Sequence, residues 1–489
     1  MSCVSANAIS DVGMNEAASR VRRSRSPIGA LGAVLAVCAS AAGAQTPPPA
    51  PQMPTQLQPP PEPSVEVERY DPGLEDVERA LMREQSAAPI EPGGPRAAEA
   101  TRYRGSTVRG RERPDYQPVG LPAGAFTVFP RLDLDVIYDA NVFATARERG
   151  DLLLRPQASV RADSNWSRHK LTFEGLLNRR EYSRFTTENG TEYRLSAQGR
   201  LDVAGRSSIE ARAVRERAII DRSAVGELPN SLRPIRYDLS LGSLGGSLRS
   251  GRVTGRLVGT FSKRDYHDGQ TLAGAPLDQQ DRDFHRTQIR GELGYNITSA
   301  QELFVSVQLD RQRYRVQIGP IDRDSNGIEL LGGIRGEITP LIRGQLALGM
   351  LRQNFIDPSV QTSTSLGLDT RLEWLVTELT NITLTARREV QNSAVRASAA
   401  YVGTDFRLQA DHELLRNLLL TADVAFSTAD YRASPRRDKT YEGGAGADWL
   451  INRNMRARFR LNASKRTSND PGRPVFNDLR TSIGLSYAL

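Results

Sequence analysis

The stretch Thr191 to Val203 constrains the fold more than any other part of the chain. Outward from Tyr193 every second residue is small or apolar, through Leu195, Ala197, Gly199, Leu201 and Val203. Between them stand Glu192, Arg194, Ser196, Gln198, Arg200 and Asp202. An extended backbone turns successive side chains to opposite faces, so this alternation makes a ribbon with one apolar side and one ionic side. Ribbons of this kind follow one another from Phe126 onward, about eighteen of them, each of roughly ten to fifteen residues. No helix or second hydrophobic layer is left to cover their apolar sides. Lipid is then the solvent for those sides, and since hydrocarbon satisfies no open sheet edge, the ribbons must close around an ionic lumen. The predicted fold is all-β: a transmembrane antiparallel β-barrel of about 16-18 strands over residues 126-489.

Composition agrees. With mean hydropathy of −0.46 and 25% charged residues the chain is too polar for a helical membrane protein. After residue 45 no apolar run approaches the ~20 residues of a spanning helix. The net charge of +8 raises nucleic acid as a partner, but the basic residues alternate along ribbons instead of clustering among stacking aromatics, so none is expected. Both cysteines, Cys3 and Cys38, lie within the first 44 residues, which leaves the rest without disulfides, thiolate metal sites or cysteine nucleophiles.

Residues 1-44 read as a signal peptide: Arg22, Arg23 and Arg25 form a basic region, Ile28 to Ala42 an apolar core, and Ala42-Gly43-Ala44 a cleavage site before Gln45. The basic region is long, and Met14 is an alternative start. Lipidation at Cys38 is disfavoured because Val37 before it is not small. Residues 45-125 are expected to be a disordered, Pro-rich periplasmic linker. It carries one short amphipathic helix, Leu74 to Gln85, with Leu74, Val77 and Leu81 along one side. The simpler reading of this linker is a tether; the sharper one is a docking peptide or a plug that enters the barrel mouth.

The links between ribbons alternate. Short ones fall at Asp163 to Arg168, Ala204 to Arg206, Ser250, Thr298 to Gln301, Thr339 to Leu341, Thr377 to Asn381, Leu415 to Asn417 and Asn452 to Asn454. Long polar ones fall at Asn141 to Asp151, Ile220 to Arg236, His267 to Asp283, Gln317 to Asp324, Ile356 to Ser363 and Asp470 to Asp478. Barrels of outer membranes have short periplasmic turns and long outer loops, so both ends of the barrel belong in the periplasm and the strand count is even. Trp166, Trp374 and Trp449, with Tyr295 and Tyr487, stand beside short turns as a periplasmic girdle. Tyr182, Phe185, Tyr266, Tyr314, Phe355 and Tyr431 stand beside long links and are expected to form a second girdle at the outer interface.

On ribbons rising from the short turns the apolar series ends in a cation: Arg179, Lys263, Arg311, Arg388 and Lys465. A cation on the lipid face costs ~2 to 4 kcal/mol at the midplane and almost nothing at the interface, so these residues should mark the outer-leaflet boundary. Their expected partner there is outer-membrane lipid, in particular the phosphates of lipopolysaccharide.

The inner series carries both signs. Its lumen-lining candidates are Arg194, Arg200, Arg252, Arg256 and the basic row Arg456, Arg458 and Arg460. A barrel this wide encloses an aqueous or plugged channel. The inner charges read as a solvated wall of mutual pairs, or as a selective path for a polyanion or hydroxyl-rich chain with the basic row as an attracting stripe. His169, His267, His285 and His412 are scattered, and Asp268, Asp278, Asp281 and Asp283 match no known cation loop, so no catalytic, cofactor or metal site is expected. Gly242, Gly245, Gly246, Gly443, Gly444 and Gly446 are expected to mark bends in a wide sheet.

Several short motifs carry a family likeness. They are Tyr138-Asp139-Ala140-Asn141-Val142-Phe143, Asp151 with Arg155-Pro156, Trp166-Ser167-Arg168-His169, Arg264-Asp265-Tyr266 and Asp281-Arg282-Asp283. Over about Phe126 to Leu489 the chain resembles the outer-membrane β-barrel porins of type 2, often found with exopolysaccharide export systems. The resemblance implies an integral outer-membrane barrel proposed to pass a secreted polysaccharide, with polysaccharide export components as partners and no catalytic residue. Barrels of this class also commonly close on an alternating apolar strand with a terminal aromatic, read by the barrel insertion machinery. Here Ile483, Leu485 and Tyr487 fit and Leu489 replaces the aromatic. The leading expectation is a channel for a hydrophilic polymer. Its alternatives are a general diffusion porin, which a narrow constriction would favour, and a surface or adhesion barrel with a closed lumen.

Overall fold

The computed structural model describes residues 106–489 apart from 204–206, 225–229, 318–321, 393–399, 433 and 474. The signal stretch, the Leu74 to Gln85 helix and the rest of the linker before residue 106 lie outside the described residues. Eighteen long strands form one closed antiparallel barrel. In chain order they are β1 (Phe126–Asp139), β2 (Asp151–Ser164), β3 (Lys170–Tyr182), β4 (Gly190–Asp202), β5 (Ser208–Ile219), β6 (Arg236–Ser250), β7 (Val253–Tyr266), β8 (Phe284–Asn296) and β9 (Gln301–Tyr314). There follow β10 (Ser325–Thr339), β11 (Ile342–Phe355), β12 (Ser363–Thr377), β13 (Thr380–Asn392), β14 (Ala400–Leu415), β15 (Leu418–Tyr431), β16 (Arg437–Leu450), β17 (Met455–Ser468) and β18 (Phe476–Ala488). Each pairs with the next, and β18 returns to β1 with Arg131 opposite Ala488 and Asp139 opposite Arg480. A three-residue strip, Leu121–Ala123, turns through Gly124 (φ 61) and pairs with Phe126 to Val128 at the foot of β1.

The barrel is sided as the alternation requires. Leu132, Leu293 and Ile483 are 61–68% exposed on the outside, while Glu192 and Glu216 on the inner face are 0% exposed. A water-soluble sheet would reverse these values. The connections alternate as well. Those at 165–169, 251–252, 340–341, 378–379, 416–417 and 451–454 are short, and those at 140–150, 220–235, 267–283 and 315–324 are long. Gly251, at φ 57, permits the two-residue hairpin between β6 and β7. Phe126 and Ala488 both lie at the short-turn end, which in barrels of outer membranes is the periplasmic one and is so called below.

Two expectations are corrected. The second girdle does not face lipid: Tyr182, Tyr266, Tyr314, Phe355 and Tyr431 share the inner parity of their strands and project over the lumen at its outer rim. There Tyr266 packs on Tyr237, Tyr314 on Phe284 and Tyr431 on Tyr401, with ring centroids 5.3–5.7 Å apart, and Phe185 stands in the 183–189 link against Phe143, 4.9 Å away. Gly336 and Gly344, at φ 118 and φ 139, face each other on β10 and β11 beside a register shift between Glu337 and Thr339. Arg252 does not line the lumen; Gly251 ends the ladder, and Arg252 is exposed in the turn.

Candidate functional site

The inner wall is a lattice of ion pairs. Arg194 donates to Glu216 at 2.9 Å, Arg290 to Glu329 at 3.1 Å, and Arg335 to Glu292 and Glu302 at 2.6 Å each. Arg200 pairs with Asp202 at 2.9 Å, near the periplasmic end. Within the basic row, Arg458 reaches Asp133 and Asp135 at 3.1 and 3.3 Å, and Arg460 reaches Asp448 at 3.2 Å. Arg456 also has an interaction partner. Strands that put a carboxylate opposite each guanidinium satisfy both, so the wall presents fixed dipoles of both signs and no bare cationic stripe at Arg458 and Arg460. Arg256 keeps more freedom, with Glu210 no nearer than 3.9 Å. It lines a shallow recess with Thr260, Gln288, Arg290, Glu292 and Gln308.

At the periplasmic end the lumen is entered by the chain's own segment. Ser106 to Tyr116 lies against the inner face of β13 to β16. The Val108 N–H donates to Asn381 Oδ1 at 2.8 Å. Arg109 bridges Asp411 and Asp448 at 2.9 and 2.8 Å and also donates to Thr421. Arg111 and Arg113 share Glu413 at 2.8 and 2.7 Å, and Arg113 caps the Arg416 carbonyl at 3.1 Å. Burial pulls the Arg109 guanidinium down, but Asp448 and Asp411 more than offset that and hold it above the ordinary arginine value. Arg113 is lowered, by burial first, with Glu413 opposing. The sharper reading of the linker is thus the one its last residues follow: they dock inside the barrel mouth.

At the outer end Ile220 to Ala224, the first residues after β5, turn inward and reach across the mouth. Asp221 accepts from Arg180 of β3 at 2.6 Å, the Ser223 carbonyl from Arg466 of β17 at 2.9 Å, and the Ala224 carbonyl from Arg473 at 2.7 Å. Burial pushes the Asp221 carboxyl up, but Arg180 and Arg480 outweigh it, so Asp221 rests below the ordinary carboxylate range. Beneath the loop Ala218, Ile220, Ile235, Tyr237 and Leu239 pack with Ala224, Tyr266 and Leu277. Guanidiniums lie over the rim aromatics: Arg264 over Tyr237, Arg282 over Tyr266, Arg323 over Tyr314 and Arg436 over Tyr431, each within 4.6 Å of the ring centre. The 267–283 connection is tied in through Leu232 N–H to the Gln270 carbonyl at 2.7 Å and Leu272 N–H to the Asn230 carbonyl at 2.9 Å.

Apart from Trp166 to His169, which form a short turn at the other end, the motif residues that carry the family likeness gather at this outer rim. Asn141, fully buried, donates its N–H to Asp139 and Asp478 at 2.9 and 3.0 Å and its side-chain amide to the carbonyls of Thr145 and Asn477. Asp151 accepts the N–H groups of Arg184 and Phe185 at 2.8 and 2.9 Å, and Asp283 that of Tyr266 at 2.7 Å. These residues tie long loops to strand tops. The acidic link behaves likewise: Asp268 accepts from Gln279 N–H and Asp281 pairs with Arg323, and no cluster of metal-ligating side chains occurs among the described residues. The histidines stay apart, His169 at a periplasmic turn beside Asp202 and His412 hydrogen-bonded to Thr380.

Trp166, Trp374 and Trp449 are exposed at the periplasmic end, Trp374 and Trp449 on the outer face of β12 and β16. Arg179, Lys263, Arg311, Arg388 and Lys465 lie on the outer parity of their strands, three or four residues before each strand's outer end. Arg352 of β11 occupies the equivalent place. It ends the series Leu346, Leu348 and Met350, and that same pattern was there to be read in the sequence.

A closed ring of eighteen strands, apolar outside and ionic inside, can only be a membrane barrel with an aqueous interior. The family model described as Putative beta-barrel porin 2 matches residues 113–487. The chain belongs to this porin family. Its match begins at Arg113, so the family pattern includes the last residues of the inserted segment as well as the barrel. No curated protein matches. Among solved structures, the ferric enterobactin receptor PfeA of Pseudomonas aeruginosa aligns at 6% identity and TM-score 0.43, covering 74% of this chain and 80% of that one. The siderophore receptor PirA of Acinetobacter baumannii gives 7% and 0.42 with the same coverage. OpdK of Pseudomonas aeruginosa, solved with vanillate, gives 10% and 0.40, covering 74% of this chain and 99% of that one.

Proposed function

We propose that this outer-membrane porin-family barrel passes small hydrophilic solutes, with its Ser106 to Tyr116 segment as a removable closure of the periplasmic end. The observation that carries the reading is Arg109, which spans Asp411 and Asp448 inside the lumen. A wall of mutually paired charges favours neither sign of ion strongly, so neutral and zwitterionic solutes, sugars among them, suit it best. No bond-making chemistry is assigned to it, and the N-terminal linker is placed in the periplasm.

Export of a secreted polysaccharide is the second reading. What favours it is circumference: eighteen strands enclose room for a chain once the segment and the Ile220 to Ala224 loop both swing aside. That route needs two displacements, and the small-solute route needs fewer. The test is solute entry into liposomes holding the full-length protein, with neutral sugars of rising length, beside a variant lacking residues 106–116. Entry of mono- and disaccharides with exclusion of long oligosaccharides, relaxed in the variant, is the expected result. Equal exclusion of every sugar by both proteins would sink the channel reading and leave a closed surface barrel.

A further inference from the structure

The lipid-facing cations near the outer rim are not alike around the barrel. From β3 to β7 the cations at this level each meet an adjacent carboxylate, Arg215 sharing Asp238 with Arg217, and Arg236 at the outer end of β6 donates to the Asn189 carbonyl instead. Arg179 pairs with Glu181 at 2.6 Å, Arg215 with Asp238 at 3.0 Å, and Lys263 with Asp265 at 2.7 Å. From β9 to β17 Arg313 and Arg437, at the very ends of their strands, have Asp324 at 3.6 Å and Asp430, but the cations set further in do not. Arg311, Arg388, Lys439 and Lys465 have no ion-pair partner among the described residues, and Arg352 touches only the Asn354 amide oxygen, at 3.3 Å. Asp324 and Asp430 are thus already taken by those two outer cations. Cations on alternate strands stand roughly 10 Å apart along the perimeter. Below them the same faces continue as Leu309, Met350 and Leu461, half-exposed to where acyl chains run.

We infer that the β9 to β17 arc is a binding surface for the phosphates of the outer-leaflet glycolipid, and that the β3 to β7 arc is not. A phosphate at the polar edge of the hydrocarbon finds several unshared donors there, while its acyl chains lie on the leucine rows beneath. Charge-assisted contacts of this kind are stronger at a partly dehydrated interface than in water. On the opposite arc Glu181, Asp238 and Asp265 already hold the cations and repel an approaching anion. The asymmetry makes the lipid contact a property of specific residues and not of net charge.

The test uses the full-length protein in detergent, with purified bis-phosphorylated lipid A as the probe and its phosphatase-treated form as the control. Retention is read by native mass spectrometry. Wild-type protein should retain the phosphorylated form and not the treated one. Combined Arg311→Gln, Arg352→Gln and Lys465→Gln should cut retention about tenfold, and combined Arg179→Gln, Arg215→Gln and Lys263→Gln by less than about twofold. Circular dichroism confirms that both sets remain folded barrels. Equal losses from the two sets overturn the assignment. So does wild-type retention that ignores phosphate, a result independent of any variant.

Discussion

At the periplasmic end of the lumen the arginines come from the inserted segment and the carboxylates from the wall, whereas at the outer end the roles are exchanged. There Arg180, Arg466 and Arg473 come from the wall or its adjoining loop, and the crossing loop supplies Asp221 and two carbonyls. The anchoring differs too. The outer loop grows out of β5 and β6 and rests on the cluster around Tyr237 and Leu239. The segment has Val108 as its buried apolar residue, and charge pairs do most of the holding. One is built into the fold, and the other is held by contacts that, in the function proposed above, are lost while the barrel stands.

The largest test of this contrast replaces Arg109 and Arg113 by Ala together. Loss of Arg109 leaves buried Asp411 without a cation, at ~3 to 5 kcal/mol, and loss of Arg113 leaves Glu413 to Arg111 alone; together these exceed what Val108 can retain. The segment should become protease-accessible and single-channel conductance should rise while barrel melting stays put. Unchanged conductance with a cleaved segment would show that it closes nothing.

Next in size, Tyr237→Ala empties the outer cluster at ~3 to 5 kcal/mol of local stability. Hydrogen exchange should accelerate in the 220–224 stretch and stay constant at 106–116; acceleration at both would mean the two closures are coupled. Asp221→Asn is milder, ~1 to 3 kcal/mol, since the amide oxygen still accepts from Arg180. The same carboxylate sets a pH dependence. Its folded pKa lies below the ordinary value, so its contribution is full above the ordinary carboxylate range and fades as pH falls through the depressed one. Conductance noise from this loop should be flat from about pH 5 to 9 and increase only in stronger acid. Smallest is salt: the Debye length shrinks from about 8 Å at 0.15 M to about 3 Å at 1 M, and exchange at 106–116 should rise more than at 220–224.

Much of this was legible in the sequence. Leu195 against Arg194 states which face meets lipid, and the long and short links orient the barrel. The rim aromatics were misjudged although their parity was in view: Tyr266 is an odd number of residues from Lys263, hence on the other face. Arg252 keeps inner parity, but parity lapses once Gly251 ends the strand. The segment's target was beyond reach. Arg109, Arg111 and Arg113 are visibly a row of cations, but Asp411, Glu413 and Asp448 lie some three hundred residues away. Only closure of the ring brings them to one place.

The strip Leu121–Ala123 has a bearing on watertightness. Below Arg131 the final strand runs out, and one edge of β1 would meet the bilayer with its ladder open. Three features caulk that gap. Leu489 N–H caps the Pro130 carbonyl at 3.1 Å, Pro130 itself has no N–H to strand, and the strip folds back onto Phe126 to Val128. An unmatched peptide group in hydrocarbon costs several kcal/mol. Cutting the chain between Tyr116 and Leu121 would therefore separate a stopper from a gasket, and each could be removed to learn which one keeps ions from leaking along the wall.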